Sequence, residues 1–352
     1  MDWFAQRLLI WFDEHGRKDL PWQIDPNPYR VWVSEIMLQQ TQVTTVIPFY
    51  QRFITRFPTV HALATAELDE VLHHWSGLGY YARGRNLHKA ARVIVADLNG
   101  AFPVGVEKLG KLPGIGRSTA GAIAAISQGR QAPILDGNVK RVLARFHMVP
   151  GYPGETQTLK ALWQHSEKHT PDERVADYTQ AIMDLGATVC TRQPSCTTCP
   201  LEARCEAHAN DQTDQFPGRR PKKAKPSRRT RMFLITDPQN ACLLEQRPAR
   251  GIWGGLWTPP ERDPGYSVAQ LCREFGIAEG DIEATRTAAQ FRHTFTHFHL
   301  DIEPVYVQLK QAPSCVRDGA RLLWYSPGTN TRVGLSAPAV RLLKSLSEFE
   351  LT

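Results

Sequence analysis

Residues 112–136 read LPGIGRSTAGAIAAISQGRQAPILD, a Pro-Gly-Ile-Gly turn that opens a helix of small residues and ends on an aspartate. Pro113 fixes one φ, while Gly114 and Gly116 allow a tight turn around Ile115 that leaves backbone N–H groups exposed. Those donors lie at the positive end of the next helix, a ready site for a phosphate. Ala120, Gly121, Ala122, Ala124 and Ala125 let that helix pack closely against a neighbour. Taken alone, LPGIG fits an ordinary helical hairpin equally well. Asp136, 20 positions after Gly116, supplies the additional feature.

The 352-residue chain is long enough for two or three domains, and its net charge of +7 favours a polyanionic partner without requiring one. No apolar run reaches membrane-spanning length and no charged-then-apolar leader opens the chain, so a cytoplasmic protein of bacterial, nucleoid-associated type is expected. The first residues read as an amphipathic helix with Phe4, Leu8, Trp11 and Phe12 on one face. Periodicity predicts helices over 30–46, 67–75, 83–98, 117–128, 138–147, 156–169 and 175–188. The expected domains are an all-α unit over 1–210, a basic linker over 211–230 and an α+β unit over 231–352. From Pro217 to Arg231 there are eight Lys or Arg, three Pro and no acid, a composition that cannot build a core. Beyond it, FLIT-DPQN-ACLLEQR reads as a β-hairpin. Phe298, Leu300 and Ile302 alternate with polar residues along a strand, and 337–348 closes as a helix.

Four of the seven cysteines, Cys190, Cys196, Cys199 and Cys205, form C-x5-C-x2-C-x5-C. Thiols this close must converge on one centre, and four thiolates suit either zinc or a [4Fe–4S] cluster. Glu35 lies in VWVSEIMLQQTQV among apolar residues, and helical spacing places Gln39 and Gln42 with it on one polar stripe. That stripe is either a solvent face or the lining of a cleft. In a cleft, desolvation would raise the carboxyl and leave it a proton to donate. Asp136 is either a helix cap or a second working carboxylate, and Asn138 competes for the cap.

The hairpin with Asp136 downstream resembles the helix-hairpin-helix glycosylases of the endonuclease III superfamily. VWVSEIMLQQTQV, ILDGNVKRVLAR and GLGYYARGRNLHKAA narrow this to the MutY-type adenine glycosylases, over essentially the whole chain. The resemblance implies that Glu35 protonates adenine at N7 and that Asp136 stabilises or covalently traps the sugar cation, with Asn138 orienting it. It implies phosphate binding at Gly114, Ile115 and Gly116. Leu20, Trp22, Gln23 and Gln180 would wall the adenine pocket, although Trp22 by itself reads as a core aromatic. Gln40 and Tyr80 would wedge into the duplex, which must be opened to flip a base. Ser118 stands where lyase-active members carry a lysine nucleophile, so strand cleavage should be absent or weak. The cysteines would hold a [4Fe–4S] cluster rather than zinc, yet the family has six residues between the first two and this chain has five.

From Gly255 the chain fits the frame of a Nudix box, with Glu261 and then Ala269-Gln270-Leu271-Cys272-Arg273-Glu274. A working box would have Arg-Glu at 269–270 and Glu at 273, so magnesium-dependent hydrolysis is not expected. In this glycosylase family a degenerate Nudix fold recognises 8-oxoguanine. Phe295, Thr296 and His297 match its Phe-Ser-His reading loop, with Thr in place of Ser. The expectation is a monomeric, monofunctional glycosylase acting on adenine opposite 8-oxoguanine or guanine in duplex DNA. A bifunctional endonuclease III-type enzyme is the alternative.

Overall fold

The structure is a computed structural model and describes residues 1–220, 224–311, 321–326 and 331–346. The helices are α1 (Trp3–His15), α2 (Pro28–Leu38), α3 (Val43–Arg56), α4 (Val60–Thr65), α5 (Leu68–Trp75), α6 (Ala82–Leu98), α7 (Val106–Leu109), α8 (Arg117–Gln128), α9 (Gly137–Phe146), α10 (Thr156–His169), α11 (Val175–Asp184) and α12 (Glu206–Ala209). The strands are β1 (Ser227–Thr236), β2 (Cys242–Gln246), β3 (Trp257–Thr258), β4 (Glu261–Arg262), β5 (Ile282–Thr287), β6 (Phe291–Thr294), β7 (His299–Leu309) and β8 (Leu322–Tyr325). α13 (Val268–Phe275) and α14 (Ala337–Leu346) complete the elements. No described helix is long and apolar enough to cross a membrane.

The chain forms two compact units, and the division is not the linear one the composition implied. Met1–Thr65 joins the chain from Asn86 to the basic segment, whereas Ala66–Arg85 packs with everything beyond that segment. β1 begins at Ser227, inside the stretch read as linker, because its backbone pairs in parallel with β7 from Ser227↔His299 onward. Lys and Arg side chains exclude a stretch from a core but not from a strand edge. Residues 221–223 of that stretch, and 347–348 of the expected closing helix, lie outside the described residues.

In the helical unit, α1 buries Phe4, Leu8, Trp11 and Phe12 against α9 and α11. α2 starts where Pro28 follows Asn27, whose side chain accepts from the Arg30 N–H. The expected single helix over 30–46 is broken. α2 stops at Leu38, Gln40 adopts φ +58°, and α3 starts only after Gln42. Gln39 and Gln42 therefore cap helices instead of extending a stripe from Glu35. α8 packs against α2, and Gly121 shows why its residues are small. A Cβ there would lie 2.4 Å from the Pro133 carbonyl oxygen.

In the second unit the sheet runs β3-β2-β1-β7-β5, with β4 on β1, β6 on β7 and β8 on β2. β1 is buried on both faces, which accounts for its continuous apolar run. Met232 and Leu234 enter one core, and Phe233 and Ile235 enter another with Leu271 and Cys272 of α13. Leu72 of α5 belongs to the first core. Around it, Asp69 accepts from the Trp257 indole at 3.2 Å and Tyr81 Oη donates to the Leu335 carbonyl at 3.1 Å.

Candidate active site

Glu35 projects from α2, and Asp136 forms the N-cap of α9, where its Oδ1 accepts from the Val139 N–H at 2.7 Å. Burial pushes the Glu35 carboxyl up to about 8, and the charge of Asp136 adds to the shift. Burial also raises Asp136, but the Val139 and Asn138 N–H groups and the Arg141 and Lys140 charges all favour its ionised form. Both carboxyls are raised by burial, but only around Asp136 do hydrogen bonds and cationic charges oppose that rise, a difference set by environment. Asp136 is thus the cap of α9 and at the same time a buried carboxylate whose charge reaches Glu35. Asn138 is not the cap; its Oδ1 accepts from Arg141 at 2.9 Å.

Gly116, itself without a capping side chain, is the N-cap of α8, and the buried Ile115 anchors the turn beside it. Gly114 takes φ +78°, where a Cβ would meet Asn86 at 2.7 Å. The Ile115 N–H closes the turn on the Leu112 carbonyl at 3.2 Å, and a Cβ at Gly116 would meet nothing within 4 Å, so the space in front of that residue is open. Ser118 Oγ accepts from the Leu135 N–H at 2.9 Å, one residue before Asp136. Gln39 Nε2 donates to Thr119 Oγ1 at 3.2 Å, which joins the end of the Glu35 helix to α8.

Trp22 is buried with its ring edge on Tyr50, so packing accounts for its position, and Leu20 is buried beside it in the chain. Gln23 accepts from the Leu20 N–H and donates to the Arg17 carbonyl. Gln180 donates to Asp184 at 2.7 Å, and the same buried carboxylate grips Arg17 through its backbone N–H and its guanidinium. Arg17 and Asp184, which the sequence reading missed, bring the Gln23 and Gln180 segments into one network. The available signal was an aspartate at 184 flanked by the apolar Ile182, Met183 and Leu185. Gln40 and Tyr80 are both exposed with left-handed backbones, φ +58° and +49°.

Cys190, Cys196, Cys199 and Cys205 line one small pocket. A π-turn over Leu185–Val189 delivers Cys190, and the Ser195 N–H closes the five-residue loop on the Val189 carbonyl at 3.1 Å. Burial and the neighbouring thiols push Cys199 up to about 12. Four sulfur donors around one pocket fit a four-thiolate centre, Cys190 included. Arg145, almost fully buried, braces this loop through the Thr191 and Arg192 carbonyls and donates to Cys190 Sγ at 3.3 Å. Beside α9, Lys140, Arg141, Arg145, Arg192, Arg219 and Arg220 line a cleft of about 650 Å³ that suits polyanion contact.

In the second unit the remaining box carboxylates are engaged. Glu274 is held by the Arg262 guanidinium and by Tyr266 Oη, and Glu261 pairs with Arg247 at 3.0 Å. The reading loop joins β6 to β7, closed by the Phe295 N–H on the Phe298 carbonyl. Phe295 stacks on Phe298 with centroids 4.4 Å apart, which turns Thr296 and His297 outward.

Two family models match the chain, HhH-GPD superfamily base excision DNA repair protein over residues 33–168 and NUDIX domain over 231–345. An adenine DNA glycosylase of Buchnera aphidicola (strain APS of the Acyrthosiphon pisum subspecies) is 36% identical over 98% of each chain. One of Mus musculus is 35% identical over 96% of this chain and 77% of its own. Among solved structures, a thermostable thymine-DNA glycosylase superposes with TM-score 0.52 at 26% identity, covering 59% of this chain and 95% of that one. With relatives of this identity aligned along nearly its whole length, the chain belongs to the adenine DNA glycosylase family.

Proposed function

We propose that this protein excises adenine mispaired with 8-oxoguanine or guanine in duplex DNA, as a monomeric, monofunctional N-glycosylase. The observation that carries the reading is the unequal pair, with Glu35 raised to about 8 beside a helix-capping Asp136. Adenine leaves as a poor anion unless it is protonated, and the sugar it leaves passes through an oxocarbenium-like state. Glu35 delivers the proton to N7. Asp136 then faces the developing positive charge, stabilising it electrostatically or bonding to it until water arrives. Asn138 orients Asp136, and Leu20, Trp22, Gln23 and Gln180 wall the base. Gly114, Ile115 and Gly116 grip a phosphate, while Gln40 and Tyr80 occupy the opened duplex.

The four cysteines hold a [4Fe–4S] cluster in this reading. When bound, it supplies a structural brace for the loop that Arg145 also supports. Thr296 and His297 read the base opposite adenine. The deciding measurement is single-turnover base release from adenine:8-oxoguanine and adenine:cytosine duplexes. Release from the first alone, without strand scission, supports the reading; scission trapped by borohydride would replace it with the bifunctional one.

A further inference from the structure

His147, at the end of α9, and His165 and His169 on α10 bring a ligand atom each within 4.8 Å of one another. None of the three belongs to the glycosylase chemistry. A stack of aromatic packing is the simplest alternative, since Phe4 lies on His169 and the His147 and His165 rings are 3.7 Å apart. Packing alone, however, does not explain how the nitrogens are set. His169 Nδ1 lies 2.5 Å from Asp2 Oδ2, so Nδ1–H donates to the carboxylate and Nε2 is left as a lone pair. That lone pair faces His147 Nε2 at 2.7 Å. A carboxylate behind one imidazole and a second imidazole in front of it is the outer arrangement that orients a metal-binding histidine.

We propose that His147, His165 and His169 bind one divalent transition-metal ion of the zinc class, with Asp2 orienting His169. Zinc takes imidazole nitrogens at about 2.0–2.1 Å, which places two of them about 3.3 Å apart on a tetrahedral ion. Replacing the proton between His147 and His169 by the ion thus needs an opening of roughly 0.6 Å and a turn of His165 out of its stack. Burial, then the neighbouring imidazoles, hold His147 down to about 3, and burial also lowers His165 and His169. All three are therefore neutral, the form that ligates. Lys168 opposes a cation here and Glu206 favours one, and three protein ligands would leave a fourth position to solvent. The ion would tie the start of α1, through Asp2, to the ends of α9 and α10.

The test compares the full-length protein as isolated with His165→Ala and His147→Phe, after dialysis against zinc ion and then zinc-free buffer. Iron and zinc are measured together, so metal on the cysteines is common to all three. We expect one more zinc per chain in the wild type than in either variant, with iron and base release equal. Equal zinc in all three overturns the proposal. The unmutated protein gives a second readout, in which added cobalt(II) should develop visible ligand-field bands without new thiolate charge-transfer absorption. Charge-transfer absorption without those nitrogen-type bands would also overturn it.

Discussion

Ser118 Oγ accepts a hydrogen bond from the Leu135 N–H at 2.9 Å, tying the first turn of α8 to the residue before Asp136. Ser118 thus ties α8 to the segment that carries Asp136, and in the proposed reading it does so from the position of the lyase lysine. Ser118→Ala should lower stability by about 1 kcal/mol, the net worth of one such bond, with base release largely kept. Ser118→Lys should yield a borohydride-trappable DNA adduct that the wild type does not form. Trapping by the wild type at the same level would refute this role.

With Glu35 as the proposed acid, its protonation sets the expected pH dependence. With its carboxyl raised to about 8, the acid is protonated at neutral pH, and base release should decline as pH rises through that value. Glu35→Gln should lose at least 100-fold in single-turnover rate. The sign for stability follows from linkage. The folded state binds the proton more tightly than the unfolded one, so this contribution is full below about 4.5 and is lost as pH rises through about 8. Glu35→Gln should therefore gain thermal stability relative to wild type at pH 8.5 and show less gain at pH 5.

Asp136 can be separated into its two roles. Asparagine caps a helix about as well as aspartate, whereas alanine costs about 1 kcal/mol. Asp136→Asn should abolish base release while melting near the wild type and still binding mismatched duplex. Asp136→Ala should lose both release and stability. Equal melting temperatures for the two variants would show that the cap bond contributes nothing.

Thr296 and His297, which the Phe295–Phe298 stack turns outward, read the opposite base in the proposed function. Replacing both with alanine should reduce the preference for 8-oxoguanine over guanine about tenfold, consistent with losing 1–2 kcal/mol of contacts. Adenine release from an adenine:guanine duplex should change little. Truncating the second unit is a poorer test, because Leu72, Asp69 and Tyr81 of the first part of the chain pack into it.

Restoring the Nudix carboxylates should not restore hydrolysis. Glu274 is held by Arg262 and Tyr266, so Arg273→Glu combined with Gln270→Glu still leaves that oxygen pair occupied. Magnesium-dependent cleavage of an oxidised nucleoside triphosphate by this double variant is expected to stay at background.

Short-range features were legible in the sequence because they are set within a few residues. Gly114 specifies its turn through its positive φ, Asp136 caps the helix three residues ahead of Val139, and the cysteines converge because 16 residues cannot separate them far. The alternation at Phe298–Ile302 likewise follows from a period of two. Tertiary structure decided what depends on the surroundings. The polar stripe from Glu35 does not exist, since Gln40 turns the chain out of the helix. Glu35 works through burial and the charge of a residue 101 positions away, and no local pattern encodes either. Ala66–Arg85 joins the sheet because its apolar face finds a partner there, and Arg17 meets Asp184 across 167 residues. Propensity and capping are properties of neighbours in the chain. Protonation, packing partners and the meeting of His147 with His169 are properties of neighbours in space.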